Sequence, residues 1–190
     1  KPVVRVFPFM RQIFLDGSTP SANVEEQYDF IYAADGQAHK NHSQLFMAWR
    51  ELARDNLYPS LAITLDESEK WLLDEIDNLR RDGINVQNFG WLDREAIIAK
   101  YRTCKAIIFP SINESFGMPL LEASMLGIPI LASELDYVYD VCIPAQTFNP
   151  SDPRSIARSV RRHIGADHAL EIVRSPGDFV RYVSNFQKKI

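Results

Sequence analysis

The stretch from Phe109 to Ala123 places two carboxylic acids around a tight turn. Glu114 lies in a short polar loop after an apolar segment, and Glu122 lies in the helical pattern that follows. Gly117 permits a sharp change of backbone direction, and Pro119 suits the first turn of a helix. Unpaired N–H groups at a helix start bind anions, and carboxylates accept hydrogen bonds from hydroxyls. The pattern therefore predicts a site for a phosphate and a polyol, such as a nucleotide sugar. The alternative is a turn that binds nothing, which acidic residues on both sides of the helix start disfavour.

Apolar segments of strand and helix character alternate along the chain and predict which elements carry this turn. Such alternation is typical of a parallel sheet covered by helices on both faces. We predict an α/β fold, a Rossmann-like doubly wound parallel sheet. The predicted strands are residues 3–9, 28–34, 61–65, 85–89, 105–110, 130–133 and 147–148. The predicted helices are residues 42–54, 67–81, 93–101, 117–126, 137–141, 152–164 and 178–189.

Polar loops after the predicted strands should meet at one edge of the sheet, because ligands bind outside the carboxyl ends of parallel strands. Four loops qualify, at residues 35–42, 66–68, 89–92 and 110–116. Lys40 would then share an edge with Glu114 and could pair with a diphosphate, the alternative being a solvated lysine. Residues 66–69 could face a ribose, but an N-cap with acidic residues in the first helical turn is the favoured interpretation.

The sequence lacks the common signatures of metal and cofactor sites. His39 and His42 have no third ligand at a zinc-helix spacing, and no Asp-Xaa-Asp motif is present. Gly-Xaa-Gly-Xaa-Xaa-Gly and Gly-Lys-Ser/Thr phosphate loops are also missing, which argues against a standard dinucleotide domain or a P-loop ATPase. We therefore predict no metal and no other cofactor.

Composition indicates one sizeable globular domain. The chain has 190 residues, 46% hydrophobic and 24% charged, with a formal net charge of -4. A general nucleic-acid binder would need a basic face, and no apolar run reaches the roughly 18 residues of a membrane span. Cys104 and Cys142 lie in apolar surroundings and are expected as buried free thiols, which predicts a cytoplasmic protein. Trp49 and Trp71 fall on apolar helix faces and are expected in the core.

The stretch from Phe109 to Ala123 resembles the Glu-x7-Glu signature of retaining glycosyltransferases, particularly the family 4 or group 1 enzymes. Three other segments are similar to family motifs and occur in the family's order. They are His39-Lys40-Asn41-His42, Phe89-Gly90-Trp91-Leu92, and Gly127-Ile128-Pro129-Ile130 with Ser133. The resemblance spans roughly residues 28 to 165.

The resemblance implies the C-terminal, donor-binding half of a two-domain GT-B architecture. Residues 1–190 would form one domain, with 1–27 as the interdomain strand and linker region, 28–165 as the core and 166–190 as terminal helices. The implied enzyme is a retaining, metal-independent hexosyltransferase that uses a UDP- or GDP-sugar donor. Its glycan or lipid-linked acceptor would bind through a separate N-terminal domain. Peripheral contact with a membrane stays open, although the arginine-rich helix at 152–164 lacks a bulky apolar stripe.

Family roles transfer to this chain by position. The resemblance implies that Glu114 contacts the donor sugar and that Lys40 neutralises the diphosphate leaving group. Glu122 would bind the ribose hydroxyls. The other implied donor contacts are Ser115, the backbone N–H groups of Phe116, Gly117 and Met118, and the Phe89-Gly90 loop against the base.

One departure from the family pattern concerns the loop before Lys40. Family members usually have a glycine and then a basic residue just after the strand, where this chain has Ala34 and Asp35. The missing basic residue removes one phosphate-neutralising charge. Two alternatives to the implied enzyme stay open. One is another GT-B enzyme, such as a sugar-nucleotide epimerase or a glycogen-synthase-like transferase. The other is a non-catalytic interaction domain that kept the fold, and Asp35 supports it.

Overall fold

A computed structural model describes residues 27–165 of the chain. These residues form a six-stranded sheet in which every pair of neighbouring strands is parallel. The strands are β1 (Tyr28–Tyr32), β2 (Leu61–Ile63), β3 (Val86–Asn88), β4 (Cys104–Phe109), β5 (Ile130–Ser133) and β6 (Gln146–Phe148). The helices are α1 (His42–Arg54), α2 (Lys70–Arg81), α3 (Arg94–Tyr101), α4 (Met118–Met125), α5 (Asp136–Tyr139) and α6 (Pro153–His163). The predicted Rossmann-like α/β fold is confirmed.

The strand order β3-β2-β1-β4-β5-β6 reverses direction between β1 and β4. From β1 the chain continues outward to β2 and β3, and from β4 it continues outward in the opposite direction to β5 and β6. This divergence leaves a crevice at the carboxyl ends of β1 and β4. The register pairs Phe30 with Ala106 and Ile31 with Ile107, so both strands finish at a similar height. The loop that carries Lys40 and the loop that carries Glu114 therefore flank this crevice.

The core is the sheet and the helix faces packed on it. Strand β1 is buried from Phe30 onward, and β2 and β5 are buried along their whole length. Helix α1 packs against α2 and α6. Trp49 of α1 is fully buried and donates its indole N–H to the carbonyl of Pro59 at 2.9 Å. Burial of this apolar surface stabilises the sheet, and the sheet in turn positions the polar loops that follow its strands.

Most predicted elements are present with ends that differ by one or two residues, as expected where helices and strands fray. Helix α2 is an exception, because it begins at Lys70 rather than at residue 67. Asp66 does not cap it; its carboxylate accepts from the N–H and hydroxyl of Ser68 in a turn before the helix. The prediction of an N-cap with acidic residues in the first helical turn was therefore wrong.

Two predictions about side chains can be compared with the structure. Cys104 and Cys142 are buried free thiols, as predicted. Trp71 is 54% exposed and does not belong to the core, so that prediction was wrong. The apolar face of α2 is formed instead by Leu72, Ile76 and Leu79.

The strand predicted at 3–9 and the helix predicted at 178–189 lie outside the described residues.

Candidate functional site

Asn41 joins the loop after β1 to the loop after β4. Its backbone has φ 63°, a left-handed conformation that asparagine tolerates better than most residues. Its side-chain amide donates to the carbonyl of Pro110 at 3.0 Å and to the carbonyl of Pro150 at 2.8 Å. One side-chain amide thus donates to two loop carbonyls and fixes the position of the start of α1 relative to those loops.

A single 3₁₀ turn at Ala38–Lys40 is held from both sides. The carbonyl of His39 accepts from the Ile112 N–H at 2.9 Å and from the Ser111 hydroxyl at 3.1 Å. The carbonyl of Lys40 accepts from the buried Tyr32 hydroxyl at 2.8 Å. These bonds define the position of the Lys40 backbone, so the side chain starts from a fixed point beside the crevice.

Lys40 and Glu114 form an ion pair across the crevice. Lys40 Nζ lies 2.8 Å from Glu114 Oε1, and the two side chains are only 17% and 10% exposed. The sequence predicted that both residues lie on one edge of the sheet, and the structure brings them into direct contact. A shielded cation beside a shielded carboxylate can hold a phosphate and a hydroxyl at adjacent positions.

The start of α4 presents unpaired backbone donors next to this ion pair. Gly117 has φ 80° and precedes the first helical residue, Met118. Within residues 27–165, the N–H groups of Phe116, Gly117 and Met118 have no acceptor. Ser115 is exposed in the same loop. Free N–H groups at the positive end of a helix favour an anion at this position.

Glu122 lies in α4 and is paired with a residue that sequence reasoning missed. Arg94, the first residue of α3, places its Nε 2.8 Å from Glu122 Oε1, and the Glu122 side chain is 8% exposed. Burial raises the pKa of Glu122, while the Arg94 guanidinium acts in the opposite direction. The sequence signal for Arg94 is weak: a basic residue in the first turn of a helix opposes the helix dipole, but Asp93 and Glu95 lie beside it.

The Phe89-Gly90 loop follows β3 and is shaped by a side-chain amide. Asn88 Oδ1 accepts from the Gly90 N–H at 3.2 Å and from the Leu65 N–H at 2.9 Å. The Phe89 ring packs edge-on to Tyr28 at 5.4 Å, and Lys100 Nζ lies 3.8 Å above the Phe89 centroid. The Phe89 ring is thus engaged in packing within the fold.

Asp35 occupies the position where the resembled family has a basic residue. It is exposed and accepts from the Gln37 N–H at 3.2 Å and from the Gln37 side-chain amide at 2.9 Å. The carboxylate therefore closes a local turn, and these two bonds give it a structural role.

His42 is buried behind the Lys40 turn, and both of its ring nitrogens lack a hydrogen-bond partner among the described residues. Its ring lies against Tyr32, at 4.9 Å between centroids, and against Phe46. Burial lowers the pKa of His42 to about 4. His42 is thus neutral at neutral pH and contributes packing to the first turn of α1.

The described part of the chain has neither a candidate metal site nor a candidate membrane span. No group of three histidine, cysteine, aspartate or glutamate residues between positions 27 and 165 could hold a metal ion. No helix in that range is both long and apolar enough to cross a membrane.

Comparison with known proteins gives a consistent result. Residues 18–169 match the family model described as Glycosyl transferases group 1. The serotype-specific mannosyltransferase WbdA of Escherichia coli is 26% identical over 175 residues, which cover 84% of this chain and 21% of the relative. The chain therefore spans about a fifth of that relative's length.

Solved structures share the fold. The apo form of the lipopolysaccharide outer core galactosyltransferase WaaB superposes with a TM-score of 0.59 and 22% identity, over 76% of this chain and 42% of that one. Anabaena HepE in complex with UDP and glucose superposes with a TM-score of 0.59 and 15% identity, over 73% of this chain and 39% of that one. Identities this low support a shared fold and no more.

Proposed function

This chain belongs to the group 1 glycosyl transferases, and from that premise we propose that it is the donor-binding half of a glycosyltransferase. One observation carries the proposal: the Lys40–Glu114 ion pair lies at the strand-order reversal, beside the unpaired N–H groups that begin α4. This is where α/β sheets bind ligands, and its chemistry fits a phosphorylated sugar.

The proposed reaction breaks the bond between the sugar C1 and the diphosphate oxygen, and the acceptor hydroxyl forms a new bond to C1. Positive charge develops on the sugar and negative charge on the leaving diphosphate. Lys40 and the N–H groups of Phe116, Gly117 and Met118 would stabilise that negative charge in a fixed, shielded geometry. No metal ion is needed for this stabilisation, and we propose a metal-independent enzyme that retains the anomeric configuration.

Glu114 would meet the sugar and Glu122 the ribose. Glu114 contacts Lys40, the cation proposed to bind the diphosphate. A bound sugar hydroxyl would replace part of that contact. Glu122 lies further along α4, about one helical turn from the free N–H groups, which fits the distance between a diphosphate and the ribose attached to it. The Phe89-Gly90 backbone would then border the base.

The donor we propose is a UDP- or GDP-hexose. Support comes from Anabaena HepE, whose structure holds UDP and glucose, and from WbdA, which is a mannosyltransferase. The acceptor, a glycan or a lipid-linked glycan, would bind mainly to a domain outside this chain. We propose a cytoplasmic protein, because both cysteines are free, which fits a reducing compartment.

Calorimetric titration of the full-length protein with UDP and GDP, followed by donor turnover assays, tests the proposal. We expect saturable binding of one nucleoside diphosphate and transfer of the sugar only when an acceptor is present. Conversion of the donor without acceptor would favour an epimerase. Binding without any turnover would favour a non-catalytic domain, for which the acidic Asp35 is the supporting feature. Absence of binding at millimolar concentration would contradict the proposal.

A further inference from the structure

Arg94 stands at a position where a basic side chain is electrostatically unfavourable. It is the first residue of α3, directly after the N-cap Asp93, whose side chain accepts from the Ala96 N–H at 2.8 Å. The N-terminal end of a helix carries a partial positive charge that repels a guanidinium, and the neighbouring Asp93 and Glu95 carboxylates offset part of that repulsion. An ion-pair interaction with a further carboxylate would add to this compensation.

Glu122 supplies that interaction. Arg94 Nε donates to Glu122 Oε1 at 2.8 Å, and the pair joins α3 to α4. The exposures of the two side chains differ, at 40% for Arg94 and 8% for Glu122, so the guanidinium lies on the solvent side of a shielded carboxylate. A carboxylate with so little exposure would lose much of its tendency to ionise without a neighbouring cation.

Both residues lie toward the edge of the sheet that carries the proposed donor site. Helix α3 starts after the Phe89-Gly90 loop at the carboxyl end of β3, and α4 starts after the Glu114 loop at the carboxyl end of β4. Arg94 is at the first position of its helix, and Glu122 is in the second turn of its helix. The ion pair thus lies between the loop proposed for the base and the helix start proposed for the diphosphate.

We propose that Arg94 is a positioning residue of the ribose subsite: it holds the Glu122 carboxylate as an oriented anion that accepts the ribose 2′- and 3′-hydroxyls. This inference rests on the proposed function, because it assigns a role within that donor site. A carboxylate has about four lone-pair sites, enough to bind a guanidinium N–H and a vicinal diol together. Two hydroxyls bonded to a fixed anion give the site a preference for ribonucleotides.

The matching experiment compares a ribonucleotide with an analogue that lacks both hydroxyls. Full-length protein is titrated with UDP and with 2′,3′-dideoxy-UDP, or with the guanosine pair if GDP is the better ligand. We expect wild type to bind the ribonucleotide at least about tenfold more tightly, because hydrogen bonds to a charged acceptor are strong. Arg94→Ala should lose about tenfold in ribonucleotide affinity and leave dideoxynucleotide affinity unchanged.

Three further variants separate positioning from a general structural effect. Arg94→Lys should recover part of the preference, because it restores the charge but not the planar fork. Arg94→Ala in a Glu122→Gln background should produce no further change in the ratio. Arg102→Ala is the matched control, since Arg102 is an exposed arginine at the other end of α3 and should leave both affinities unaltered. If Arg94→Ala folds poorly, Arg94→Gln carries the same comparison.

Two results would overturn the inference while the proposed function stands. One is an equal fold-loss of affinity for both nucleotides in Arg94→Ala, and the other is no loss of affinity for either nucleotide. Failure of wild type to bind any nucleoside diphosphate would instead overturn the proposed function, and the role of Arg94 with it.

Discussion

The Nζ atom of Lys40 and the Oε1 atom of Glu114 lie 2.8 Å apart, although 74 positions separate the two residues in the chain. The contact forms because Lys40 follows β1 and Glu114 follows β4, the two strands between which the strand order reverses. It places the cation proposed for the diphosphate beside the carboxylate proposed for the sugar. The two roles are therefore coupled, and each residue can be tested against the other.

Replacing Lys40 should weaken binding of the diphosphate. We expect Lys40→Ala to lower affinity for the nucleoside diphosphate about tenfold, because it removes a shielded charge-assisted contact, and to reduce the salt dependence of binding. Calorimetry at two salt concentrations measures both effects. Lys70→Ala is the matched control, because Lys70 is exposed at the start of α2 near the same edge. Unchanged affinity in Lys40→Ala would rule out a diphosphate contact for this lysine.

Replacing Asn41 should separate the cost of backbone conformation from the cost of the amide. Asn41→Gly keeps the left-handed conformation but leaves the carbonyls of Pro110 and Pro150 without their donor, which should cost about 1–3 kcal/mol of unfolding free energy. Asn41→Ala adds about 1 kcal/mol of backbone strain. Urea denaturation measures both variants. Equal stability of Asn41→Gly and wild type would show that the amide contributes nothing.

Replacing Gly117 should test the shape of the α4 start. A Cβ there would meet Leu120 Cδ1 at 3.1 Å, on a backbone with φ 80°. Gly127 has φ 69° with no atom within 4 Å of a built Cβ, so Gly127→Ala carries the strain without the crowding. We expect Gly117→Ala to be the less stable variant in urea denaturation and to lose nucleotide affinity, while Gly127→Ala keeps that affinity. Similar affinity losses in both would show that the N–H groups near Gly117 do not bind the ligand.

His42 should make the fold sensitive to acid. Its pKa is 6.5 in an unfolded chain and about 4 in the fold, so the unfolded state binds the proton first. Stability should therefore fall as pH drops from 6.5 to about 4, by up to about 1.4 kcal/mol per pH unit and about 3 kcal/mol in total. His42→Leu should flatten this part of the stability profile and keep or raise stability at pH 7, because neither ring nitrogen has a partner among the described residues. A profile with the same slope in His42→Leu would contradict this explanation.

Much of the fold could be predicted from the sequence, because local pattern determines it. Helix α1 occupies the predicted residues 42–54, where apolar side chains recur at helical spacing, and Asp93 caps α3 as its position suggests. The prediction that Trp71 is buried was wrong because Trp71 borders the apolar face of α2. A small rotation of the helix about its axis decides whether a side chain at that border is buried. The predicted start of α2 was too early because the Asp66 carboxylate accepts a local hydrogen bond from Ser68, which competes with capping of the helix.

The candidate site was predictable only in part. The loop positions of Lys40 and Glu114 follow from the rule for parallel sheets, but their direct contact depends on how Asn41 and Ser111 fix the two loops. The Arg94–Glu122 pair joins α3 and α4, which follow β3 and β4, two strands that are not neighbours in the sheet, so only the three-dimensional packing reveals the partner. A basic residue at the start of α3 is only a weak signal of such a partner, because Asp93 and Glu95 lie beside it.

The most direct measurement is nucleoside diphosphate binding by Glu122→Ala and Glu114→Ala of the full-length protein, with a ligand that carries no sugar. If Glu122 binds the ribose and Glu114 the sugar, Glu122→Ala should lose at least about tenfold in affinity. Glu114→Ala should match or exceed wild type, because Lys40 is then freed from its carboxylate partner. Equal losses in the two variants, or a larger loss in Glu114→Ala, would contradict the assignment of the two carboxylates.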